Sequence, residues 1–296
     1  MKVAVIGLGS MGYGMATSLL AAGHEVYGVD VNTAAMDRFR ADGGAGGALR
    51  DTAPALDAVV VVVLNAAQTE AVLFGEAGIV SGLSKGAVVM ACATVPPAFA
   101  RDMEARCAEA GVLYLDAPIS GGSVKAAAGA LSVMASGAPE AFEAAAGVLA
   151  ACAETVFRLG DEAGPGSAMK AVNQLLAGVH IAAMAEAMTF GMTQGIAPED
   201  FVKVIPQCAG TSWMLENRAP HVVAGDYSPH SAVDIWPKDL GIVLDIARGA
   251  KFGAPLTAAA LQQFVAASGS GFGGEDDAAV AKVYARNAGL TLPGED

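Results

Sequence analysis

Six residues, Gly7-Leu8-Gly9-Ser10-Met11-Gly12, constrain this chain more than any other stretch. Before them, Lys2-Val3-Ala4-Val5-Ile6 is short and β-branched and predicts a strand. After them, Tyr13 to Ala22 predicts a helix closed by Gly23. His24-Glu25-Val26-Tyr27-Gly28-Val29-Asp30 predicts the next strand, ending on an acid. A G-x-G-x-x-G turn between a strand and a helix can only belong to a β-α-β unit with the helix packed tightly on the sheet.

The chemistry of that turn is specific. Gly7 permits the sharp bend, Gly9 lets a pyrophosphate approach the backbone, and Gly12 lets helix and strand close up. The N–H groups of Ser10 and Met11 then stand at the positive end of the helix dipole, where phosphate is favoured. Asp30 can accept hydrogen bonds from a ribose 2′-hydroxyl and would repel a 2′-phosphate, so NAD is favoured over NADP. A glycine turn made only for packing is the competing explanation, and the full strand–turn–helix–strand–acid context argues against it.

Further strands are predicted at Ala58–Val63, Ala87–Cys92, Leu113–Asp116 and Leu131–Ala135, with a last one near Thr155–Leu159. Their near-continuous apolar character and the helical stretches between them predict an α/β domain, a doubly wound and mostly parallel sheet covered on both faces. Ligands in such sheets bind beyond the carboxyl ends of the strands. The relevant ends here are Leu64-Asn65-Ala66-Ala67, Ala93-Thr94-Val95-Pro96 and Asp116-Ala117-Pro118-Ile119-Ser120-Gly121-Gly122. Thr94 can contact a cofactor ribose or simply form the turn before two prolines. Ser120, Gly121 and Gly122 offer a hydroxyl and exposed N–H groups that can wrap a carboxylate; a loop needing positive φ explains the glycines equally well.

After Gly160-Asp161-Glu162-Ala163-Gly164-Pro165-Gly166 the strand pattern stops. The boundary is therefore drawn between residues 163 and 164: a nucleotide-binding domain over 1–163 and an all-α domain over 164–296, joined through a long helix. Helices are predicted at about 166–194, 199–208, 212–223, 237–250, 255–268 and 276–287, punctuated by Pro198, Pro229, Pro237 and Pro255.

Composition excludes several classes. A net charge of −13 without a basic run argues against nucleic acid and anionic membranes as partners. The uncharged stretch Val3–Gly23 is glycine-rich and is better read as the turn and helix above than as a membrane span; no later stretch is read as one. Cys92, Cys107, Cys152 and Cys208 form no Cys-x-x-Cys pair and are read as free thiols of a reducing cytoplasm. The four histidines do not pair at metal-ligand spacing, so no metal site is expected.

Within the long helix, Lys170 and Glu186 are the only formally charged residues between Ala163 and Pro198. Lys170, Asn173, Gln174 and Ala177 share one helical face. Such a lysine–amide group reads as a polar patch lining a cleft or as an ordinary solvated first turn. A second lysine, Lys238, lies in Trp236-Pro237-Lys238-Asp239-Leu240 near a predicted helix start; a surface Lys238–Asp239 pair is the plainer account of it.

Taken in order, Val5-Ile6-Gly7-Leu8-Gly9-Ser10-Met11-Gly12, Asp116-Ala117-Pro118-Ile119-Ser120-Gly121-Gly122, Gly166-Ser167-Ala168-Met169-Lys170-Ala171-Val172-Asn173 and Lys238-Asp239-Leu240 resemble the β-hydroxyacid (3-hydroxyisobutyrate-type) dehydrogenase family over nearly the whole chain. The resemblance implies a Rossmann domain, an all-α domain and a homodimer or homotetramer. It implies NAD-dependent oxidation of a small hydroxy acid. Lys170 would be the general acid/base, Asn173 and Gln174 would hold substrate, and Ser120, Gly121 and Gly122 would clamp its carboxylate. Leu64, Asn65, Thr94 and Lys238 would contact NAD. The chain departs from the commoner family pattern at Asn65-Ala66-Ala67, Ala93, Gln174 and Pro237. Asn65–Glu70, Asn173–His180 and Ser231–Ile235 most resemble the branch that oxidises the C2 hydroxyl of L-threonate. Dehydrogenases of 3-hydroxyisobutyrate or tartronate semialdehyde type, and a non-catalytic NAD(P)-binding module, are the alternatives.

Overall fold

Strands form at the short, mostly apolar and β-branched runs, and helices form between most of them. The computed structural model describes residues 1–46 and 48–295. Strand β1 (Lys2–Ile6) leads through the glycine turn into helix α1 (Ser10–Ala21), followed by β2 (Glu25–Val29) and α2 (Thr33–Ala41). Next come β3 (Ala58–Val61), α3 (Ala66–Phe74), β4 (Val88–Ala91), α4 (Pro97–Glu109) and β5 (Leu113–Asp116). These five strands are parallel, in the order β2-β1-β3-β4-β5. The chain thus turns one way after β1 and the other way into β3, which opens a crevice at their carboxyl ends.

The inner strands are buried on both faces because they are apolar at nearly every position, whereas the edge strand β2 starts at exposed Glu25 and is fully buried only at Val26. Val3, Val5, Val60, Val88 and Met90 point into one core, and Ala4, Ile6, Val59, Val61 and Val89 into the other. This accounts for strands that read as continuous apolar runs rather than alternating ones.

Two predicted strands do not join this sheet. Leu131–Ala135 (β7) and Ala153–Arg158 (β8) form a separate three-stranded sheet with Ile119–Ser120 (β6), a strand whose residues read in sequence as part of a turn. Pro118, which has no N–H to donate to a ladder, separates β5 from β6. β6 then pairs antiparallel with β7, and β7 pairs parallel with β8. β8 is exposed along most of its length, unlike the buried strands of the first sheet. Helix α5 (Gly122–Ala127) follows β6, and α6 (Pro139–Cys152) connects β7 to β8.

Helix α7 (Pro165–Thr193) is followed by α8 (Pro198–Val204), α9 (Trp213–Ala224), α10 (Ile235–Gly249), α11 (Pro255–Ala267) and α12 (Val280–Asn287). Compactness divides the chain into Met1–Lys170 and Ala171–Asp296, a cut inside α7. The second unit has its own core, in which Ile181, Met184, Ala185 and Met188 of α7 meet Leu215, Trp236, Leu240 and Phe264. Their spacing of three and four residues is one helical face. Trp236 stacks on Phe264 with ring centroids 5.5 Å apart, and its Nε1 donates to Asp277 at 2.9 Å. Trp213, by contrast, is exposed.

Two readings change here. By length and composition α7 could cross a bilayer, a property the hydropathy reading passed over; half of its most apolar window is buried in protein. The histidines, which look unpaired in sequence, partly come together: ring nitrogens of His221 and His230 and the Asp276 carboxylate lie within 4.8 Å of one another. Asp276 accepts from His221 Nδ1 at 3.0 Å and from the N–H groups of His230 and Ala278, so its oxygens already serve the fold. Sequence spacing could not show this, because Asp276 lies 55 residues from His221.

Candidate functional site

The glycine turn has the shape its residues demand. Gly7 sits at φ +100°, and a Cβ there would lie 2.2 Å from the Val62 carbonyl oxygen. A Cβ at Gly12 would lie 1.8 Å from the Gly7 carbonyl, so helix and strand meet with no room for a side chain. Gly9 differs: a Cβ there would meet nothing within 4 Å. The open space is where a bound group would stand. No side chain caps α1 and no acid occupies its first turn, so the N–H groups of Ser10 and Met11 lie at an uncapped, positively polarised helix start. Asp30 ends β2 and accepts from Leu8 N–H at 2.6 Å and Asn32 N–H at 2.7 Å, tying the acid to the glycine turn.

A cavity of about 790 Å³ opens beside this turn and is lined by Gly7, Gly9, Asp30, Arg50, Leu64 and Gln68 among others. Its walls are mostly apolar, with few charges, which suits a nucleoside better than a bare anion. Leu64 is largely exposed within it. Asn65 instead uses its side chain to cap α3: it accepts from Gln68 N–H at 2.9 Å, while Gln68 Oε1 accepts from Leu64 N–H at 2.9 Å. This reciprocal cap is the structural content of the unusual Asn65-Ala66-Ala67-Gln68 sequence. Thr94 is half-buried in the loop after β4. The residues therefore fit a dinucleotide cofactor at the turn itself.

The Ser120-Gly121-Gly122 stretch leaves β6 through two positive-φ residues, Gly121 at +138° and Gly122 at +76°. A Cβ at Gly122 would meet nothing within 4 Å, so this backbone, like that at Gly9, is open to close approach. The Lys170 amine lies next to it. Lys170 is only 9% exposed, and its Nζ donates to the Ile119 carbonyl at 2.9 Å, one residue before Ser120. Two motifs that are 51 residues apart thus meet through one hydrogen bond.

Lys170 is held there by a residue that reads in sequence only as the head of the clamp motif. Asp116 is 1% exposed and accepts from Gly164 N–H at 3.0 Å, Ser167 N–H at 2.8 Å and Ser167 Oγ at 2.7 Å. Ser136 Oγ donates to the same carboxylate at 3.2 Å and accepts from Gly166 N–H at 2.9 Å. Pro165 has no N–H, and Ala168 N–H bonds the Gly164 carbonyl. The whole first turn of α7 is therefore satisfied, by a carboxylate at the helix's positive end. Burial raises the Asp116 carboxyl above its ordinary pKa, and the Ser167, Gly164 and Ser136 bonds pull against that. Gly166 completes the fit, since a Cβ there would lie 2.4 Å from the Met134 carbonyl. Sequence offered no spacing signal for Asp116 or Ser136, because their partners lie at the far end of the first unit.

In the second unit Asn173 is half-buried and Gln174 buried. Asn173 Nδ2 donates to Gln174 Oε1 at 2.9 Å, and Gln174 Nε2 donates to Asp239 Oδ2 at 2.5 Å. Asp239 is 2% exposed and pairs with Lys238 Nζ at 2.7 Å, so the surface-pair reading of Lys238–Asp239 is corrected: only the lysine reaches solvent. α10 begins at Ile235, two positions before the predicted start at Pro237, which leaves Lys238 in its first turn.

Residues 2–160 match the NAD-binding domain of 6-phosphogluconate dehydrogenase, and residues 164–284 match the NAD-binding domain of NADP-dependent 3-hydroxyisobutyrate dehydrogenase. An L-threonate dehydrogenase of Cupriavidus necator is 51% identical over 99% of this chain and 98% of its own. One from Escherichia coli K12 is 48% identical over 99% and 96%. The crystal structure of a 3-hydroxyisobutyrate dehydrogenase from Salmonella typhimurium is 46% identical, covers 96% of this chain and 99% of its own, and superposes with a TM-score of 0.91. A Rossmann-type sheet with an NAD-type cofactor site and a following helical unit defines an NAD(P)-dependent oxidoreductase. Within that class, the chain belongs to the 3-hydroxyisobutyrate dehydrogenase-like, or β-hydroxyacid dehydrogenase, family.

Proposed function

We propose that the protein oxidises L-threonate at C2, giving the 2-oxo acid, with NAD as acceptor and Lys170 as general base. The observation that carries the reading is the Lys170 Nζ to Ile119 carbonyl hydrogen bond of 2.9 Å, which brings a buried amine to the Ser120-Gly121-Gly122 turn. In the proposal Ser120 Oγ and the N–H groups of Gly121 and Gly122 bind the substrate carboxylate. Lys170 accepts the proton of the C2 hydroxyl, as an amine positioned within hydrogen-bond reach does in general base catalysis. The bound cofactor supplies the hydride acceptor for the C2 hydrogen. Asn173 and Gln174, one turn further along the helix, contact the remaining hydroxyls. In the reverse direction the lysine ammonium returns the proton.

For the cofactor, Gly7, Gly9, Ser10, Met11 and Gly12 hold the pyrophosphate, Asp30 the adenosine ribose, and Leu64, Asn65, Thr94 and Lys238 the remaining contacts. Asp30 supports NAD over NADP, because a carboxylate repels a 2′-phosphate. Arg50, in the same cavity, opposes that bias, so the preference is a ratio rather than an exclusion. L-Threonate is supported by relatives of that name at about half identity over the full chain.

We further propose a homodimer or homotetramer. The second unit exposes Phe190, Ile196, Val204, Trp213, Phe252 and Leu256, more large apolar surface than a solitary helical unit needs. Light scattering should give a mass of two or four chains.

The test is formation of reduced cofactor, followed by absorbance, with L-threonate, D-threonate, the erythronates, 3-hydroxyisobutyrate, glycerate and tartronate semialdehyde, in both directions and with each cofactor. L-Threonate with NAD should give the highest kcat/KM. A higher value for 3-hydroxyisobutyrate would move the protein to that activity, and absence of turnover with every compound would leave a cofactor-binding module.

A further inference from the structure

The hydrogen bonds that run from Asp239 to Asn173 have a direction, and that direction is set at one end. An ionised carboxylate accepts and never donates. Asp239 Oδ1 faces Lys238 Nζ at 2.7 Å, and Oδ2 faces the Gln174 side chain at 2.5 Å. Gln174 must therefore turn its NH₂ to Asp239 and its carbonyl away. That carbonyl stands 2.9 Å from the Asn173 amide, so Asn173 must present its own NH₂ to Gln174. The Asn173 carbonyl oxygen is left as the outer end of the chain. Which atom of an amide is N and which is O is ordinarily ambiguous; here the carboxylate removes the ambiguity two residues away.

We infer that Asp239 is a positioning residue that fixes Asn173 with its carbonyl oxygen outward, so that the site reads a non-reacting hydroxyl of the substrate by accepting its proton. The inference rests on the hydroxy-acid reading above and deepens it. It assigns the specificity for a polyhydroxylated acid to an acceptor and not to a donor. It also gives a role to Gln174, where the family often has asparagine, because the glutamine side chain spans from Asn173 to the buried carboxylate.

Asp239→Asn should reverse the relay. The new amide must keep its oxygen on the Lys238 ammonium, because a charge-assisted bond is the stronger one. Its NH₂ then faces Gln174, which must rotate to accept, and Gln174 in turn donates to the Asn173 carbonyl. Asn173 ends with its NH₂ outward. Adding Gln174→Glu moves the carboxylate one step along: it accepts from position 239 and from Asn173, and the Asn173 carbonyl returns to the outside.

The experiment compares the full-length wild type, Asp239→Asn and Asp239→Asn/Gln174→Glu. Each is assayed with saturating NAD on L-threonate and on its 3-deoxy and 4-deoxy analogues, 2,4- and 2,3-dihydroxybutanoate. In the wild type, kcat/KM should favour L-threonate over at least one analogue by roughly tenfold to a hundredfold, the worth of one well-placed hydrogen bond that is otherwise left unpaired. Asp239→Asn should collapse that ratio to within about threefold, mainly through KM for L-threonate, and the double variant should restore it. A loss that falls equally on all three substrates, or a ratio the double variant does not restore, overturns the inference. Side-chain amide NMR of ¹⁵N-labelled protein reads the same relay without substrate. The Asn173 NH₂ signal, assigned by its absence in Asn173→Asp, should move in Asp239→Asn and return in the double variant. An Asn173 signal indifferent to Asp239 overturns the relay whatever the substrate. A wild type that ignores L-threonate while its amide signals behave as described overturns the functional reading alone.

Discussion

Two buried carboxylates serve the same long helix in different ways. Asp116, in the first unit, is 1% exposed and takes its hydrogen bonds from backbone N–H groups and serine hydroxyls. Asp239, in the second, is 2% exposed, takes a hydrogen bond from an amide side chain and ion-pairs with an ammonium group. Backbone donors cannot turn around, so Asp116 fixes where α7 starts and hence where Lys170 stands. A side-chain amide can turn around, so Asp239 fixes which atom faces outward. The first carboxylate sets position and the second sets polarity.

The largest expected effect tests what the first carboxylate is for. Lys170→Ala should lower kcat by roughly a hundredfold to ten-thousandfold, the usual range for a lost general base, while NAD affinity stays within about threefold. Near-normal turnover in a folded Lys170→Ala protein would leave the Asp116 network with no function beyond helix capping. Next in size is the stability contrast. Asp116→Ala strands two buried backbone N–H groups and two serine hydroxyls, and should cost about 3 kcal/mol in urea unfolding. Asp239→Ala strands only side-chain groups that can rotate to new partners, and should cost about half as much. Equal losses would erase the distinction between the two carboxylates. Gly166→Ala probes the same start from the other side. A methyl 2.4 Å from the Met134 carbonyl forces the first turn to shift, and kcat should fall with it even though NAD still binds.

Much of this was visible in the residues. The strand–turn–helix context anticipates the steric demands at Gly7 and Gly12, because each is local, and Gly9 stands beside open space. The cofactor type follows from the same turn. The inner strands were legible because burial on both faces demands mostly apolar residues, and the edge strand β2 was legible from its place between the glycine-turn helix and Asp30. Leu131–Ala135 and a last strand near Thr155–Leu159, which runs over Ala153–Arg158, were found as strands and misplaced as partners: strand propensity is local, whereas sheet membership depends on Pro118 and on a two-residue strand too short to read. Asp116, Ser136 and Asp239 were missed for a related reason. A buried polar residue is explained by its partners, and apart from Lys238, which neighbours Asp239, theirs lie 20 to 65 residues away. The one cue was that Asp116 and Asp239 each stand beside a leucine, Leu115 and Leu240, where a carboxylate drawn into the core is costly unless it is bonded.

A smaller effect concerns the cofactor end of the first unit. Asp30→Ala should narrow the kcat/KM preference for NAD over NADP by roughly tenfold, because the repulsion of a 2′-phosphate goes while Arg50 stays. The variant also loses the bonds from Leu8 and Asn32 N–H, so some stability goes with it, and the ratio is compared on folded protein verified by circular dichroism. An unchanged ratio would assign the ribose contact to another residue of the cavity.

The smallest effect contrasts the interiors of the two units. Cys92, Cys107 and Cys152 are buried in the first, and burial pushes the Cys107 and Cys152 thiols up to about 12 and Cys92 further still. A thiol that does not ionise does not react. Cys208, in the second unit, is exposed. A thiol reagent at neutral pH should therefore modify the native protein once, at Cys208, and Cys208→Ser should abolish that reaction while changing stability by less than about 0.5 kcal/mol. Two or more fast-reacting thiols would mean that the first sheet opens on the time scale of labelling, and that the rigid frame behind Lys170 is less rigid than its hydrogen bonds imply.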